Sequence, residues 1–155
     1  MKVLQVEGVG QVVDILRDQL RKGKSSEAVR SLAAQLSSPG DAVPSLYDAV
    51  KKSYHYTDDP PDGEKFVSAE LQVTRYREKG RFEGDCDDVS ILMACLIGSL
   101  GIDSRISLLD CDNDGLYDHA VASAYLGAEW YDVDLTSPNP LGWIEKYYRR
   151  IDIYG

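Results

Sequence analysis

Cysteine and histidine are both scarce in this sequence of 155 residues. The chain has three cysteines, Cys86, Cys95 and Cys111, and two histidines, His55 and His119. An odd number of cysteines without paired spacing argues against a disulfide framework and against a zinc site. Such cysteine usage is typical of a reducing compartment, so we predict a cytoplasmic protein.

Basic residues are also few, with 17 Lys and Arg against 26 Asp and Glu, giving a formal net charge of -9. This balance argues against nucleic acid and against an anionic membrane surface as partners. Long hydrophobic runs are missing too, since Glu and Asp interrupt the apolar stretches of MKVLQVEGVGQVVDILRDQL. We therefore predict neither a secretory signal nor a membrane span. The length and the 43% hydrophobic content favour one globular domain, residues 1–155.

Helical spacing dominates the first third of the chain. QVVDILRDQLRKG and SSEAVRSLAAQLSS each place apolar residues on one helical face, with Ser25 or Ser26 as the cap of the second stretch. AVPSLYDAVKKSYHY predicts a third helix that starts after Pro44. These stretches predict an N-terminal helical part (residues 1–47) before a core (residues 48–155). TDDPPDGEK predicts a loop, and KFVSAELQVTRYREKGRF leaves a short strand and a loop both open.

The stretch from Cys86 to Gly101 predicts a central helix. Its apolar residues cover nearly the whole helix surface, which is typical of a helix buried on all sides, and Gly101 supplies its end. Alternating patterns then predict strands in SRISLL, in HAVASAYLGAEWYDVDL around a turn near Gly127, and in RIDIY. Helices followed by an antiparallel sheet, with the central helix packed on it, give the class α+β.

Cys86 lies at the cap or in the first turn of that helix. A helix N-terminus lowers the pKa of a thiol, but Asp85 and Asp87 oppose this effect, so a nucleophilic Cys86 needs a basic neighbour. The predicted hairpin offers His119 as that base and Asp134 as a carboxylate that orients it.

The turn of the hairpin decides whether these two side chains meet. A two-residue turn at Leu126 and Gly127 places His119 opposite Asp134, and a four-residue turn from Leu126 to Glu129 places them diagonally. Both registers leave the two side chains on one face, whereas a three-residue turn without a bulge separates them.

The motifs GDCDDVSILMACLIGSLGI, DHAVASAYL and WYDVDLT resemble the transglutaminase-like superfamily. The upstream SYHYTDDP is similar to a tyrosine–acid segment of bacterial and phage members, so the resemblance spans about Asp48 to Tyr154. It implies a papain-like core in which a cysteine helix packs on an antiparallel sheet and the cysteine forms a thioester. Two departures are Leu135, where proline is more usual, and Ala120 after His119, where an aromatic is more usual. The Trp or Gln that often completes the oxyanion hole has no evident counterpart.

We therefore predict a cysteine hydrolase acting on amide bonds of a protein or peptide, with Cys86, His119 and Asp134 as its triad. Protein cross-linking by a transglutaminase, and a non-catalytic binding or scaffold module, are the alternatives that the resemblance leaves open. Of the other candidates, we predict Cys95 to be core, His55 to lie at the surface or in packing, and Asp88 to cap the helix.

The acidic stretch DCDNDG matches the first half of a calcium loop. It places Asp110, Asp112 and Asp114 at alternate positions and Gly115 sixth. The twelfth position is Val121 and not Glu, so an acidic turn is the favoured reading and no cofactor is predicted. Calcium binding, or a metal-dependent enzyme built on these acids, is the alternative.

Overall fold

The computed structural model describes residues 9–58 and 66–155. The described elements are, in chain order, α1 (Val9–Lys24), α2 (Glu27–Leu36), α3 (Ala42–Ser53), β1 (Tyr54–Tyr56), α4 (Ala69–Lys79), β2 (Phe82–Gly84), α5 (Cys86–Ser99), β3 (Ser104–Asp110), β4 (His119–Leu126), β5 (Glu129–Val133) and β6 (Arg149–Tyr154). Helices followed by an antiparallel sheet confirm the predicted α+β class. Most of the loop predicted for TDDPPDGEK, and the first eight residues, lie outside the described ranges.

The N-terminal helices form where the apolar spacing predicts them. The buried face of α1 carries Leu16 and Leu20, and α2 begins after Ser26, whose hydroxyl accepts a hydrogen bond from the Val29 N–H. Helix α3 begins at Ala42 and not after Pro44. Proline is tolerated there because the N–H groups of a first helical turn have no partner within the helix.

Helix α5 is the centre of the molecule. Every residue from Cys86 to Ile97 is buried, which confirms the predicted central helix. The helices α1 to α4 and the strands β3 and β4 all pack against it. Each fully buried large apolar side chain contributes about 1.5–3 kcal/mol, so α5 supplies much of the core energy. Within the described ranges no helix, α5 included, is long and apolar enough to cross a membrane.

The main sheet has four antiparallel strands in the order β5-β4-β3-β6. Strand β4 presents Ala120, Ala122 and Ala124 to the core beneath α5. Small side chains at alternate positions allow a helix to lie close to a strand. The central helix is therefore held tightly against the strand that carries His119.

Two predictions upstream of Cys86 are wrong. The stretch KFVSAELQVTRYREKGRF, for which a strand and a loop were both left open, contains the helix α4. Ser68 caps this helix by accepting a hydrogen bond from the Leu71 N–H, and Gly80 ends it in a left-handed conformation. The sequence conceals this helix because its buried stripe is narrow. Tyr54–Tyr56, predicted within the third helix, forms β1 and pairs in parallel with β2.

The hairpin of β4 and β5 decides between the predicted registers. Tyr125 pairs with Trp130 and Leu126 with Glu129, so the turn residues are Gly127 and Ala128, both with positive φ. The alternative register, with its turn at Leu126 and Gly127, is therefore wrong. The pairing is that of the other same-face alternative, which places His119 diagonally from Asp134.

Candidate active site

A capping box defines the start of α5. One oxygen of Asp85 accepts hydrogen bonds from the N–H groups of Asp87 (3.1 Å) and Asp88 (3.4 Å), and Asp88 Oδ2 accepts one from the Asp85 N–H (3.3 Å). These bonds satisfy amides that a helix start leaves without partners, and they make Cys86 the first helical residue. The prediction that Asp88 caps the helix agrees with this geometry.

Cys86 is nearly buried, with 4% of its surface exposed. Burial raises the pKa of its thiol well above the ordinary value, and the Asp87 carboxylate raises that pKa further, although the Ala120 backbone N–H, which donates to the sulfur, acts in the opposite direction. Burial therefore favours the neutral form of the thiol. The helix dipole does not overcome burial and the neighbouring carboxylates.

His119 and Asp134 form a close pair. His119 Nε2 lies 2.8 Å from Asp134 Oδ2, and the other carboxylate oxygen accepts from the Thr136 N–H (2.9 Å) and hydroxyl (2.7 Å). Burial alone would raise the pKa of Asp134, but His119 and Thr136 together lower it below its ordinary value. Asp134 is thus an ionised acceptor that fixes the orientation of the imidazole ring.

Cys86 lies beside the strand that carries His119. The N–H that contacts the Cys86 sulfur belongs to Ala120, the residue next to His119 in β4. The packing of α5 on β4 therefore brings the thiol to the strand position beside the imidazole, and the hairpin register brings Asp134 to its other side. The catalytic role of this group stays a prediction.

Sequence reasoning missed the structural support that Gly84 and Tyr54 give to the thiol. The Tyr54 hydroxyl donates to the Gly84 carbonyl (2.8 Å), two residues before Cys86. A Cβ on Gly84 would lie 2.6 Å from the Asp88 Cβ, so only glycine fits against the cap. The glycine of the Gly-x-Cys motif was the available signal, and its reason is this close approach.

Gln72 is a second missed residue. Its Nε2 group is buried and donates to the backbone carbonyls of Val67 (2.9 Å) and Asp88 (2.8 Å), and Asp88 Oδ1 accepts from the Val67 N–H (3.0 Å). Gln72 therefore ties α4 to the start of α5. Because both of its N–H groups are engaged, it does not fill the open oxyanion position. The Cys86 backbone N–H is the donor that the helix start itself supplies.

The predicted acidic turn is organised around Asp110. Its two carboxylate oxygens accept from four backbone N–H groups of residues 112–115 and from the Arg149 guanidinium (3.0 Å). Both carboxylate oxygens of Asp110 are therefore engaged in bonds that hold the turn together. In the part of the chain that the structure describes, no three His, Cys, Asp or Glu side chains are grouped to hold a metal. Calcium binding was only the alternative to the predicted acidic turn, and it stays untested.

The remaining candidates lie where expected. Cys95 is fully buried, and its sulfur contacts the Gln19 and Leu20 carbonyls of α1. His55 is exposed on β1, and Cys111 is half-buried after β3. Two thiols in different environments thus accompany Cys86 and can serve as internal references for its reactivity.

Comparison with known proteins adds two solved structures of the same fold. A candidate cysteine protease from Cytophaga hutchinsonii is 22% identical, with a TM-score of 0.54 over 70% of this chain and 36% of the other. A candidate protease from Parabacteroides distasonis is 14% identical, with a TM-score of 0.58 over 81% of this chain and 26% of the other. The chain thus spans about a third and a quarter of these proteins.

No curated protein matches the chain significantly. The family model of the transglutaminase-like superfamily matches residues 26–135, well over half of the chain. The match starts at residue 26, before Asp48, and ends one residue after Asp134. It therefore contains Cys86, His119 and Asp134 in the order in which the sequence analysis found them. The chain belongs to the transglutaminase-like superfamily.

Proposed function

We propose that this protein is a thiol-dependent acyl-transfer enzyme that cleaves amide bonds of a protein or peptide through a thioester on Cys86. The observation that carries the proposal is the paired His119 and Asp134, with the next residue of β4 in contact with the Cys86 sulfur. Hydrolysis is favoured over cross-linking because both structural relatives are named as candidate proteases.

The hydrogen bond of the pair determines the role of each ring nitrogen. An ionised Asp134 accepts the Nε2 proton of His119, so the neutral ring keeps its lone pair on Nδ1. Nδ1 is then the atom that can remove a proton from a thiol. Asp134 also stabilises the imidazolium ion that forms when the proton arrives.

The reaction follows from this arrangement. Cys86 Sγ forms a bond to the carbonyl carbon while its proton moves to His119 Nδ1, and the Cys86 backbone N–H stabilises the oxyanion. The C–N bond then breaks and His119 returns the proton to the leaving amine. Water attacks the thioester while His119 accepts its proton; the C–S bond then breaks, His119 returns the proton to Cys86 Sγ, and the acid product leaves. An amine in place of water would give cross-linking through the same intermediate.

The first test measures alkylation of each cysteine by iodoacetamide between pH 6 and pH 9, read by peptide mass spectrometry. Because burial favours the neutral form of the Cys86 thiol, we expect its rate to rise across this range without an early plateau. His119→Ala should slow Cys86 by about tenfold or more, since a general base contributes at least that much. Cys111 should not respond.

His55→Ala is the matched control, because His55 is the other histidine and lies exposed on β1. It should leave Cys86 unchanged. Equal rates in wild type and His119→Ala would contradict the proposed base. A plateau already at pH 6 would contradict the neutral thiol and indicate a preformed ion pair.

The second test separates the reaction classes with a fluorescent casein and with dansylcadaverine as amine donor. We expect casein hydrolysis that Cys86→Ala abolishes and that a chelator does not affect. Incorporation of the amine without hydrolysis would instead identify a cross-linking enzyme. Binding of casein without either reaction, in wild type and Cys86→Ala alike, would indicate a scaffold module.

A further inference from the structure

Strand β1 lies beside the start of the cysteine helix. In the parallel register of β1 and β2, Tyr56 pairs with Gly84, two residues before Cys86. The Thr57 N–H donates to the Gly84 carbonyl (3.0 Å), which continues this pairing beyond the strand. The position of Tyr56 is therefore set by backbone bonds to the segment that leads directly into the nucleophile.

The side chains of β1 alternate between two faces. Tyr54 and Tyr56 are two residues apart and share a face, whereas His55 points to the other. Burial raises the pKa of both tyrosines, and a thiolate at Cys86 would raise both further, which agrees with their lying on the side of the thiol. The two rings differ in access. The Tyr54 hydroxyl is bonded to Gly84, while Tyr56 is 53% exposed.

Cations of this chain cover several of its tyrosine rings. The pairs are Lys51 over Tyr47, Arg105 over Tyr154, Lys146 over Tyr148 and Arg150 over Tyr147. Among the described residues, no Lys or Arg lies over Tyr56. Its ring is half exposed beside the start of the cysteine helix, and the neighbouring carboxylate of Asp85 adds a negative potential there.

Building on the proposed function, we infer that Tyr56 is a substrate-binding residue that receives a Lys or Arg side chain close to the reacting carbonyl. The exposed ring supplies a cation–π contact, and the net charge of -9 attracts cationic peptides to the surface. A neutral side chain would gain only the ring contact. The preferred substrate is therefore a basic peptide.

The test uses two methanethiosulfonates of similar size, one with a trimethylammonioethyl group and one with a sulfonatoethyl group. In each case the thiolate attacks the sulfenyl sulfur, a mixed disulfide forms and methanesulfinate leaves. The ratio of the two rate constants at Cys86, read by mass spectrometry on the full chain, reports the preference for a cation. The same ratio at Cys111 reports the effect of the protein's overall negative charge, away from Tyr56.

We expect Tyr56→Leu to lower the ratio at Cys86 by about three- to tenfold, the range of a partly desolvated cation–π contact. Tyr56→Phe keeps the ring and should keep the ratio. Tyr154→Leu removes a tyrosine of similar exposure, 51%, from β6 and should change nothing. An unchanged ratio in Tyr56→Leu, or an equal loss in Tyr56→Phe, would overturn the inference.

His119→Ala separates this inference from the proposed function. It should slow both reagents at Cys86 together and leave their ratio as in wild type. If His119→Ala slows neither reagent while Tyr56→Leu still lowers the ratio, the proposed base fails and the cation preference stands. If His119→Ala acts as expected and Tyr56→Leu does not, the cation preference fails alone.

Discussion

At the residue scale, the start of α5 places three carboxyl groups around one thiol. Asp85 and Asp88 are retained because they accept the backbone N–H groups that the helix start exposes. Burial and the Asp87 carboxylate raise the pKa of Cys86 most, and Asp85 raises it further. The proposed enzyme therefore depends on His119 to remove the proton during attack and not on a standing thiolate.

Asp88 makes the stability of the protein depend on pH. Burial raises its pKa from 3.8 to about 7, although the Val67 N–H acts in the opposite direction. The folded chain thus keeps a proton on Asp88 that the unfolded chain releases above about pH 4. This contribution to stability is complete below the unfolded pKa and is lost as the pH rises through about 7.

Asp88→Asn should remove that dependence. Between pH 4.5 and pH 7.5, we expect wild type to lose about 3 kcal/mol more of its free energy of unfolding than the variant does. Urea titrations at the two pH values measure both losses. Asp14→Asn, at a carboxylate 80% exposed on α1, is the control and should follow wild type. Equal losses in wild type and Asp88→Asn would contradict the raised pKa.

At the element scale, the β4–β5 hairpin determines whether His119 meets Asp134. Its turn has positive φ at both central residues, 58° at Gly127 and 83° at Ala128. Such a turn favours Asn-Gly because an L side chain in the left-handed region is strained. A slip of one residue would move Asp134 to the other face. The strained Ala128 therefore lies in the element that aligns the pair.

Ala128→Gly should stabilise the protein by about 1 kcal/mol, because glycine has no Cβ to strain in the left-handed region. Gly127→Ala is the reciprocal change and should destabilise it by a similar amount. Denaturant unfolding measures both free energies. Neither variant should alter alkylation of Cys86 if the register is kept. A loss of stability in Ala128→Gly would show that the turn has another geometry in solution.

At the scale of the whole molecule, one polar network joins the four strands of the sheet. Arg150 in β6 donates to Asp132 in β5, to Ser123 in β4 and to Ser107 in β3. It also donates to Asp152 in its own strand (2.6 Å). Each strand thus shares the same guanidinium, which helps to keep the strand bearing Asp134 aligned with the strand bearing His119.

Arg150→Met should destabilise the protein by about 2 kcal/mol, because it leaves the part-buried carboxylate of Asp132 without its cation, whereas Asp152 keeps Arg105 at 3.4 Å. Methionine keeps most of the apolar stem, so the loss reports the guanidinium. Thermal and urea unfolding measure it. Arg30→Met is the control, since Arg30 is 57% exposed and its carboxylate lies 3.9 Å away. A loss no larger than that of the control would show that the network contributes little.

The features that the sequence predicts correctly are local or nearly so. The apolar surface of α5, the alternation in β4 and β5 and the order of the three site motifs are properties of short stretches. These features were sufficient to predict the α+β class and the transglutaminase-like superfamily. Two of the three hairpin registers considered from the sequence place His119 and Asp134 on one face, because few residues separate them along the chain.

The sequence by itself therefore determined the central helix and the sheet that covers it, and it predicted the three residues of the candidate site. Only the tertiary structure decided that Tyr54–Tyr56 is a strand, since its partner Phe82–Gly84 is distant in the chain and no local period predicts a parallel pair. It also decided the turn at Gly127 and Ala128, the formation of helix α4 with its narrow buried face, and the raised pKa of Cys86. These depend on which surfaces become buried together, and desolvation is a property of the assembled fold and not of a stretch of sequence.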